Sequence, residues 1–341
     1  MKALVKRYPE YGIWMEDVPM PEVGVNDVLI KVTKAAICGT DLHMYKWDQW
    51  SQTHCNPPYI MGHEFVGTVV DTGPGVRNIQ KGERVTAEGH IVCGHCRNCR
   101  RGMGHVCENS LSVGIFGKDG AFAEYVTIPE SNIVKLKSSI PDDFAAIMDP
   151  FGNATHTALA FPLLGEDVLI TGAGLIGTMA AGICRFAGAK NIVVTDINQM
   201  RLDIAQKMGA TLTVNGAKGE TIQDAMHQLG IKGFDVGLEM SGAPQAFNDM
   251  IAHMYKGANI AQLGILPVDT QVNWSDVIFN ALTIKGITGR RMWETWYQME
   301  QMLLGGLDLS PVITHHFRFD DYQQAFDIMV SGQCGKVLLE W

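Results

Sequence analysis

The stretch "DVLITGAGLIGTMAAGICRFAGAKNIVVTDIN", residues 167–198, reads as strand, glycine turn, helix and strand. Gly172, Gly174 and Gly177 stand in G-x-G-x-x-G spacing directly after an apolar run and directly before a helical pattern that ends at Gly188. In that context each glycine has a task. Gly172 permits the tight turn, Gly174 lets the backbone approach a pyrophosphate, and Gly177 lets helix and strand pack closely. The helix N-terminus then favours phosphate charge. Asp196 closes the second strand, 24 residues after Gly172. A carboxylate there accepts hydrogen bonds from the adenosine ribose and repels a 2′-phosphate, which favours NAD over NADP. Arg201 could instead attract such a phosphate, and Asp196 could serve as a helix cap.

The same rhythm continues outward. "RLDIAQKMGA" is helical, "FDVGLEMSG" a strand, "PQAFNDMIAHM" a helix and "ANIAQLGI" a strand. Such alternation implies an α/β fold with a parallel, doubly wound sheet. Further on, "MWETWYQMEQMLLGG" is an amphipathic helix, whose Trp293, Trp296 and Tyr297 suit core or subunit packing better than a substrate cage. The closing strand "KVLLEW" could join either domain. Before residue 150 the pattern differs: "NDVLIKVTKAAI", "EFVGTVVDTGPGV", "GERVTAE" and "GAFAEYVTIP" are short strands between turns, an all-β unit of sandwich or distorted-barrel type.

The 341 residues suffice for two domains, and a net charge of −9 argues against a general nucleic-acid or membrane-surface binder. The N-terminus lacks the apolar core of a signal peptide and no apolar run is long enough to span a bilayer, so a cytoplasmic location is expected. Disulfides are uncommon there, which turns the eight cysteines toward metal binding or catalysis. "CGHCRNCRRGMGHVC", residues 93–107, places Cys93, Cys96, Cys99 and Cys107 at metal-ligand spacing. Four thiolates complete a tetrahedral zinc shell and leave no open position, so this metal is expected to staple a lobe rather than perform chemistry. Cys55, Cys184 and Cys334 have no partner at such spacing and read as structural.

"AICGTDLH" contributes Cys38, Thr40 and His43, and "MGHEFVG" contributes His63 and Glu64. Alone, a buried cysteine or a single histidine is more often structural than a ligand. Beside a nicotinamide site, a thiolate, an imidazole and a carboxylate gain a purpose. A dehydrogenase needs a Lewis acid to hold the substrate alcohol and lower its pKa, and three protein ligands leave the fourth position open.

Taken together, these motifs resemble the zinc-dependent medium-chain alcohol dehydrogenases, over essentially the whole chain. The family joins a GroES-like β-rich catalytic domain to a Rossmann domain. The resemblance implies residues 1–150 and 292–341 for the first and 151–291 for the second. "YKWDQWSQ", "EGHIVCGHCRNCR", "DPFGNATHTAL", "FDVGLEMSGAP" and "GLDLSPVITHHF" are similar to members that act on L-threonine. The implied reaction takes its 3-hydroxyl to 2-amino-3-oxobutanoate with NAD. Also implied are two zinc ions per subunit, a catalytic one at Cys38, His63 and Glu64 and a structural one at the four cysteines. Thr40 and His43 would relay the alcohol proton, Asp149 would assist without being a permanent ligand, and His90 would help select substrate. NAD would touch Ile176, Asp196, Arg201, Leu263-Gly264-Ile265 and Ile287-Thr288. A homotetramer is expected, with no nucleic-acid or membrane partner. Leu175 departs from the proline that many relatives carry, which should alter loop stiffness rather than cofactor identity.

Blander roles exist for several of these residues. Thr40 could cap the turn after Cys38, Asp149 could set a helix start before Pro150, and His43 and His90 could be surface histidines. Two rival functions share part of the pattern. A polyol or secondary-alcohol dehydrogenase would keep both metal and cofactor sites. A zinc-ribbon-like binding protein would use only the cysteine cluster, and the acidic balance counts against it.

Overall fold

Between residues 150 and 312 the apolar runs that alternate with helices condense into one parallel sheet. A computed structural model describes all 341 residues. Its contacts divide the chain into two units, Met1–Asp149 with Ile313–Trp341, and Pro150–Val312.

In the second unit the strands are β1 (Asp167–Thr171), β2 (Asn191–Asp196), β3 (Leu212–Asn215), β4 (Phe234–Glu239), β5 (Met254–Gln262) and β6 (Thr283–Gly286). They lie in the order β3-β2-β1-β4-β5-β6, every pair parallel. Helices α1 (Leu175–Phe186), α2 (Gln199–Lys207), α3 (Ile222–Leu229) and α4 (Pro244–His253) make the crossovers. β1 is buried along its whole length. That explains why it reads as a continuous apolar run rather than an alternating one. Leu169, Val193, Phe234, Met250 and Ile260 form the core of one face. Each such side chain contributes about 1.5–3 kcal/mol by leaving water. Strand order reverses between β1 and β4, so a crevice opens at their carboxyl ends.

One boundary differs from the sequence reading. Residues 292–312 lie with the second unit, not the first. The helix Glu294–Leu304 buries Trp296, Met299 and Met302, and Arg290 lies over the Trp296 ring at 5.6 Å. The turn after it seats Leu307 against Gly182 of α1 and Gly305 against Phe186. Of the three aromatic residues at helical spacing, Trp296 alone is buried; Trp293 and Tyr297 are exposed.

The first unit is built on a seven-stranded sheet. Its path runs Ile133–Lys135, Arg84–Ala87, Glu64–Thr72, Asp27–Ala36, Lys336–Glu340 and Ile313–Arg318, with Tyr125–Pro129 also paired to Asp27–Ala36. The closing strand therefore joins this unit, Leu338 opposite Ala36 and Glu340 opposite Lys34. Phe65, Phe122, Phe319 and Phe326 fill the core beneath it.

Candidate active site and metal centres

Antiparallel register assembles the first centre. Ala36 pairs with Glu64, so Cys38 just past one strand end meets His63 and Glu64 at the start of the next. Cys38 is then the N-cap of the helix Gly39–Lys46. Its N–H donates to Asp41 Oδ2 at 2.8 Å, and Asp41 Oδ1 lies 3.7 Å from His63 Nδ1. One ligand atom each from Cys38, His63 and Glu64 lie within 4.8 Å of one another.

Charge is concentrated there out of water. His63, Glu64, Asp41 and Lys336 are all buried. The Lys336 ammonium stands 2.5 Å from Glu64 Oε2 and donates to the Ile37 carbonyl at 2.9 Å. Burial alone would lower the Lys336 pKa, but Glu64 and Cys38 hold it above its usual value. Burial likewise opposes charging of His63, yet Asp41 and then Cys38 outweigh it and raise the metal-free imidazole to about 10. Burial pushes the Asp41 carboxyl up against the pull of His63. Asp149 adds negative potential to both His63 and Glu64. His63 Nδ1, Asp41 Oδ1 and Glu64 Oε1 make no hydrogen bond although buried. Such orphaned polar atoms are costly in a native protein. A cation bound by Cys38, His63 and Glu64 would compensate the buried negative charge there, and a thiolate, imidazole and carboxylate set suits zinc.

The second centre stands apart from the first in sequence. Cys93, Cys96, Cys99 and Cys107 also lie within 4.8 Å of one another. The Cys107 sulfur is 3.5 Å from that of Cys93 and 3.9 Å from that of Cys96. A tetrahedral zinc–thiolate shell, with bonds of about 2.3 Å, has edges of about 3.8 Å. Backbone N–H groups of Cys96, Cys99 and Cys93 point at the sulfurs of Cys93, Cys96 and Cys107, each at 3.4 Å. Hydrogen bonds from the His95 and Cys96 backbone bring Cys93 down to about 6, while burial and the neighbouring thiols push Cys99 up to about 12. Four negative charges cannot coexist here without a cation, and the donor set fits a closed zinc site.

The remaining sequence-derived residues fall into separate places. His43 Nδ1 is 2.5 Å from Asp48 Oδ2, and His90 Nδ1 is 2.8 Å from Glu88 Oε1. Thr40 Oγ1 lies 3.8 Å from Cys38 Sγ. In the second unit, Gly172 takes φ +93° and Gly174 caps α1. A Cβ on Gly177 would collide with the Gly172 carbonyl, the close approach that the fingerprint anticipates. Asp196 Oδ2 accepts the Ala173 N–H at 2.7 Å, while Oδ1 accepts those of Ile197 and Asn198. Thr171, Gly172, Asp196, Ile197, Ser241 and His253 help line a cavity of about 740 Å³. Ile176, Arg201, Leu263 to Ile265 and Ile287-Thr288 do not line it. The Arg201 N–H is used to cap α2 on Asn198. Leu263 and Gly264 donate to the Glu239 carbonyl, and Ile287 to that of Gln262. Sequence reasoning missed Asp41, Lys336, Glu239 and Asp48. An acid three residues after a helix-capping position was a readable signal for Asp41; nothing local marked the others.

Comparison with known proteins agrees with this geometry. A model of the alcohol dehydrogenase GroES-like domain matches residues 24–138, and one of zinc-binding dehydrogenases matches residues 176–305. The chain belongs to the zinc-dependent medium-chain alcohol dehydrogenases. Among its relatives is the L-threonine 3-dehydrogenase of Shewanella woodyi, 58% identical over 342 residues and matched across the whole of both chains. Among solved structures, a protein described as a short chain alcohol dehydrogenase from Escherichia coli, complexed with cofactor NADH, aligns with a TM-score of 0.91 at 26% identity. That match covers 100% of this chain and 99% of the other. A zinc-binding dehydrogenase from Sinorhizobium meliloti bound to NADP aligns at 0.90 and 27%, with the same coverage.

Proposed function

We propose that this chain oxidises the 3-hydroxyl of L-threonine to the ketone of 2-amino-3-oxobutanoate, passing hydride to NAD. The carrying observation is full-length identity of 58% to a curated L-threonine 3-dehydrogenase, on a chain whose Cys38, His63 and Glu64 converge. A zinc ion held by those three residues would act as a Lewis acid that lowers the pKa of the substrate hydroxyl. NAD, seated on the glycine turn with Asp196 beside the adenosine ribose, would take the hydride from C3.

The chain's own residues then handle the proton. Thr40, adjacent to Cys38, accepts it and His43 carries it outward. With His43 Nδ1 donating to Asp48, a neutral ring leaves Nε2 free to accept. The His43 side chain is 57% exposed, which opens the relay to solvent. Asp149, whose negative potential reaches His63 and Glu64, would favour a cation at the centre without being a permanent ligand, and His90, held by Glu88, would help select the substrate. Cys93, Cys96, Cys99 and Cys107 would hold a second zinc that staples their lobe.

The enzyme is further inferred to work as a tetramer. β6 is an open sheet edge, and Trp274, Ile278 and Phe279 stand exposed on the helix just before it. An unpaired edge flanked by apolar side chains suits pairing with a second copy. No helix is long and apolar enough to cross a membrane.

Measuring NADH formation with L-threonine, sorbitol and 2-butanol, each with NAD and NADP, tests the reading. Preference for L-threonine with NAD is expected. Faster turnover of the polyol would overturn the substrate, and full activity in Cys38→Ser would overturn the site.

A further inference from the structure

At the carboxyl ends of the central strands stands a row of polar residues in register. Thr171 ends β1 opposite Glu239, and Glu239 ends β4 opposite Gln262 of β5. Glu239 is fully buried. Its Oε1 accepts the Thr171 hydroxyl at 3.3 Å, the Ser241 N–H at 2.9 Å, the Ser241 hydroxyl and the Gly242 N–H at 3.1 Å. Its Oε2 accepts Gln262 Nε2 at 2.7 Å. Every donor is neutral. The surroundings are therefore complementary to a carboxylate, yet they hold its charge by dipoles rather than cancel it with a cation.

The same residue organises the loops around it. Its carbonyl accepts the N–H groups of Leu263 and Gly264. A Cβ on Gly264 would meet Glu239 Oε2, so that glycine lies directly on the carboxylate. Gln262 donates also to the Gly264 carbonyl at 2.8 Å and receives the Ile287 N–H at 2.8 Å. One buried acid thus ties the ends of β1, β4 and β5 at the point where strand order reverses, where open α/β sheets take their ligands.

We propose that Glu239 is the positioning residue of the cofactor site, and that its fixed charge favours the oxidised dinucleotide over the reduced one. The oxidised nicotinamide is cationic and the reduced ring is neutral, so a nearby negative charge distinguishes them. Interior permittivity is low enough for a buried charge to change binding of a unit charge several ångströms away by about tenfold. The inference rests on the dinucleotide reading of this unit, and not on the identity of the alcohol.

The test is equilibrium binding of NAD and of NADH, without amino-acid substrate, to the wild type, Glu239→Gln and the double variant Glu239→Gln/Gln262→Glu. In the double variant the amide introduced at 239 donates to the carboxylate introduced at 262, and the charge stays in the row. Glu239→Gln is expected to lose about tenfold more affinity for NAD than for NADH, and the double variant to recover the wild-type ratio. Equal weakening of both forms would reduce Glu239 to a brace and overturn the charge role. An unchanged ratio in folded Glu239→Gln would do the same. If the single variant does not fold, the double variant carries the test, and a lowered ratio there overturns the proposal. A wild-type chain that binds neither form fails the cofactor reading itself, a different and separable result.

Discussion

Lys336 and Glu64 form an ion pair at 2.5 Å with side chains 2% and 0% exposed, although 272 positions separate them (336 − 64). The closing strand carries the ammonium into a centre whose other groups come from the first half of the chain. Removing one member of such a pair leaves the other charge buried and unpaired, at a cost of about 3–5 kcal/mol. Lys336→Met should therefore destabilise the chelator-treated protein by about that amount. Adding Glu64→Gln should recover much of the loss. Urea unfolding of the four proteins would measure it, and a neutral Lys336→Met would show that the pair does not hold the metal-free centre.

A second ionic cluster closes the same sheet nearer the surface and predicts a pH window. Lys34 bonds Asp143 at 2.6 Å and Glu340 at 2.7 Å, and His316 bonds Glu340 at 3.0 Å. The Lys34 hydrogen bond, outweighing burial, holds Glu340 below its ordinary 4.5. Burial opposes the charge on Lys34, but Asp143 and Glu340 hold it above 10.5. A depressed acid contributes stability above its unfolded pKa and loses it as pH falls through the folded value. A raised lysine contributes below its unfolded pKa and loses it as pH rises through the folded value. The contribution of the Lys34–Glu340 pair should thus be constant between about 4.5 and 10.5 and fade on both sides. Lys34→Met should flatten the acid limb of stability against pH. Being partly exposed, the effect should shrink in high salt.

The four-cysteine lobe separates metal content from chemistry. Cys96→Ser removes one sulfur of a closed set, whose members are otherwise held by backbone N–H groups. Zinc per subunit should fall from two to one, and protease should cut first within residues 93–107. Cofactor binding by the second unit should persist. Retention of both ions would contradict a four-thiolate site.

How much of this was legible follows from how each feature is encoded. The glycine turn, β1 and the helices α1, α2 and α4 were readable because each is a local pattern, with Gly172 at positive φ and Gly177 against its carbonyl as spacing alone requires, whereas α3 was not read. Cys38, His63 and Glu64 look ordinary one by one and were singled out only beside the nicotinamide motif and by family resemblance; the register that sets Ala36 beside Glu64 is what brings them together. Lys336 could not be read, since a lysine opening "KVLLE" resembles a solvated strand end, whereas the strand lies between Asp27–Ala36 and Ile313–Arg318 and its first residue is buried. Glu239 looked like the polar end of a strand, and only its neighbours in register reveal a buried carboxylate. The boundary near residue 292 was misplaced for a related reason. Amphipathic periodicity shows that the helix Glu294–Leu304 buries a face, not which unit receives it.

Asp196 carries the last prediction because one side chain serves two ends. Its Oδ2 holds the glycine turn through Ala173, and Oδ1 holds the start of the following loop through Ile197 and Asn198. Hydrogen bonds to a charged acceptor contribute about 1.5–3 kcal/mol. Asp196→Ala should therefore weaken NAD binding by about tenfold to a hundredfold. Part of that loss is loosening of the turn and falls on NADP equally. The other part is specific: without the carboxylate nothing repels a 2′-phosphate, so NADP should lose less than NAD. Asp196→Asn separates the two effects, since it removes the charge while keeping an oxygen for the turn. Fluorescence titration of NADH and NADPH against both variants would read the ratio directly. If the NADH-to-NADPH preference survives in both, the carboxylate shapes the loop alone and ribose selection lies elsewhere in the crevice.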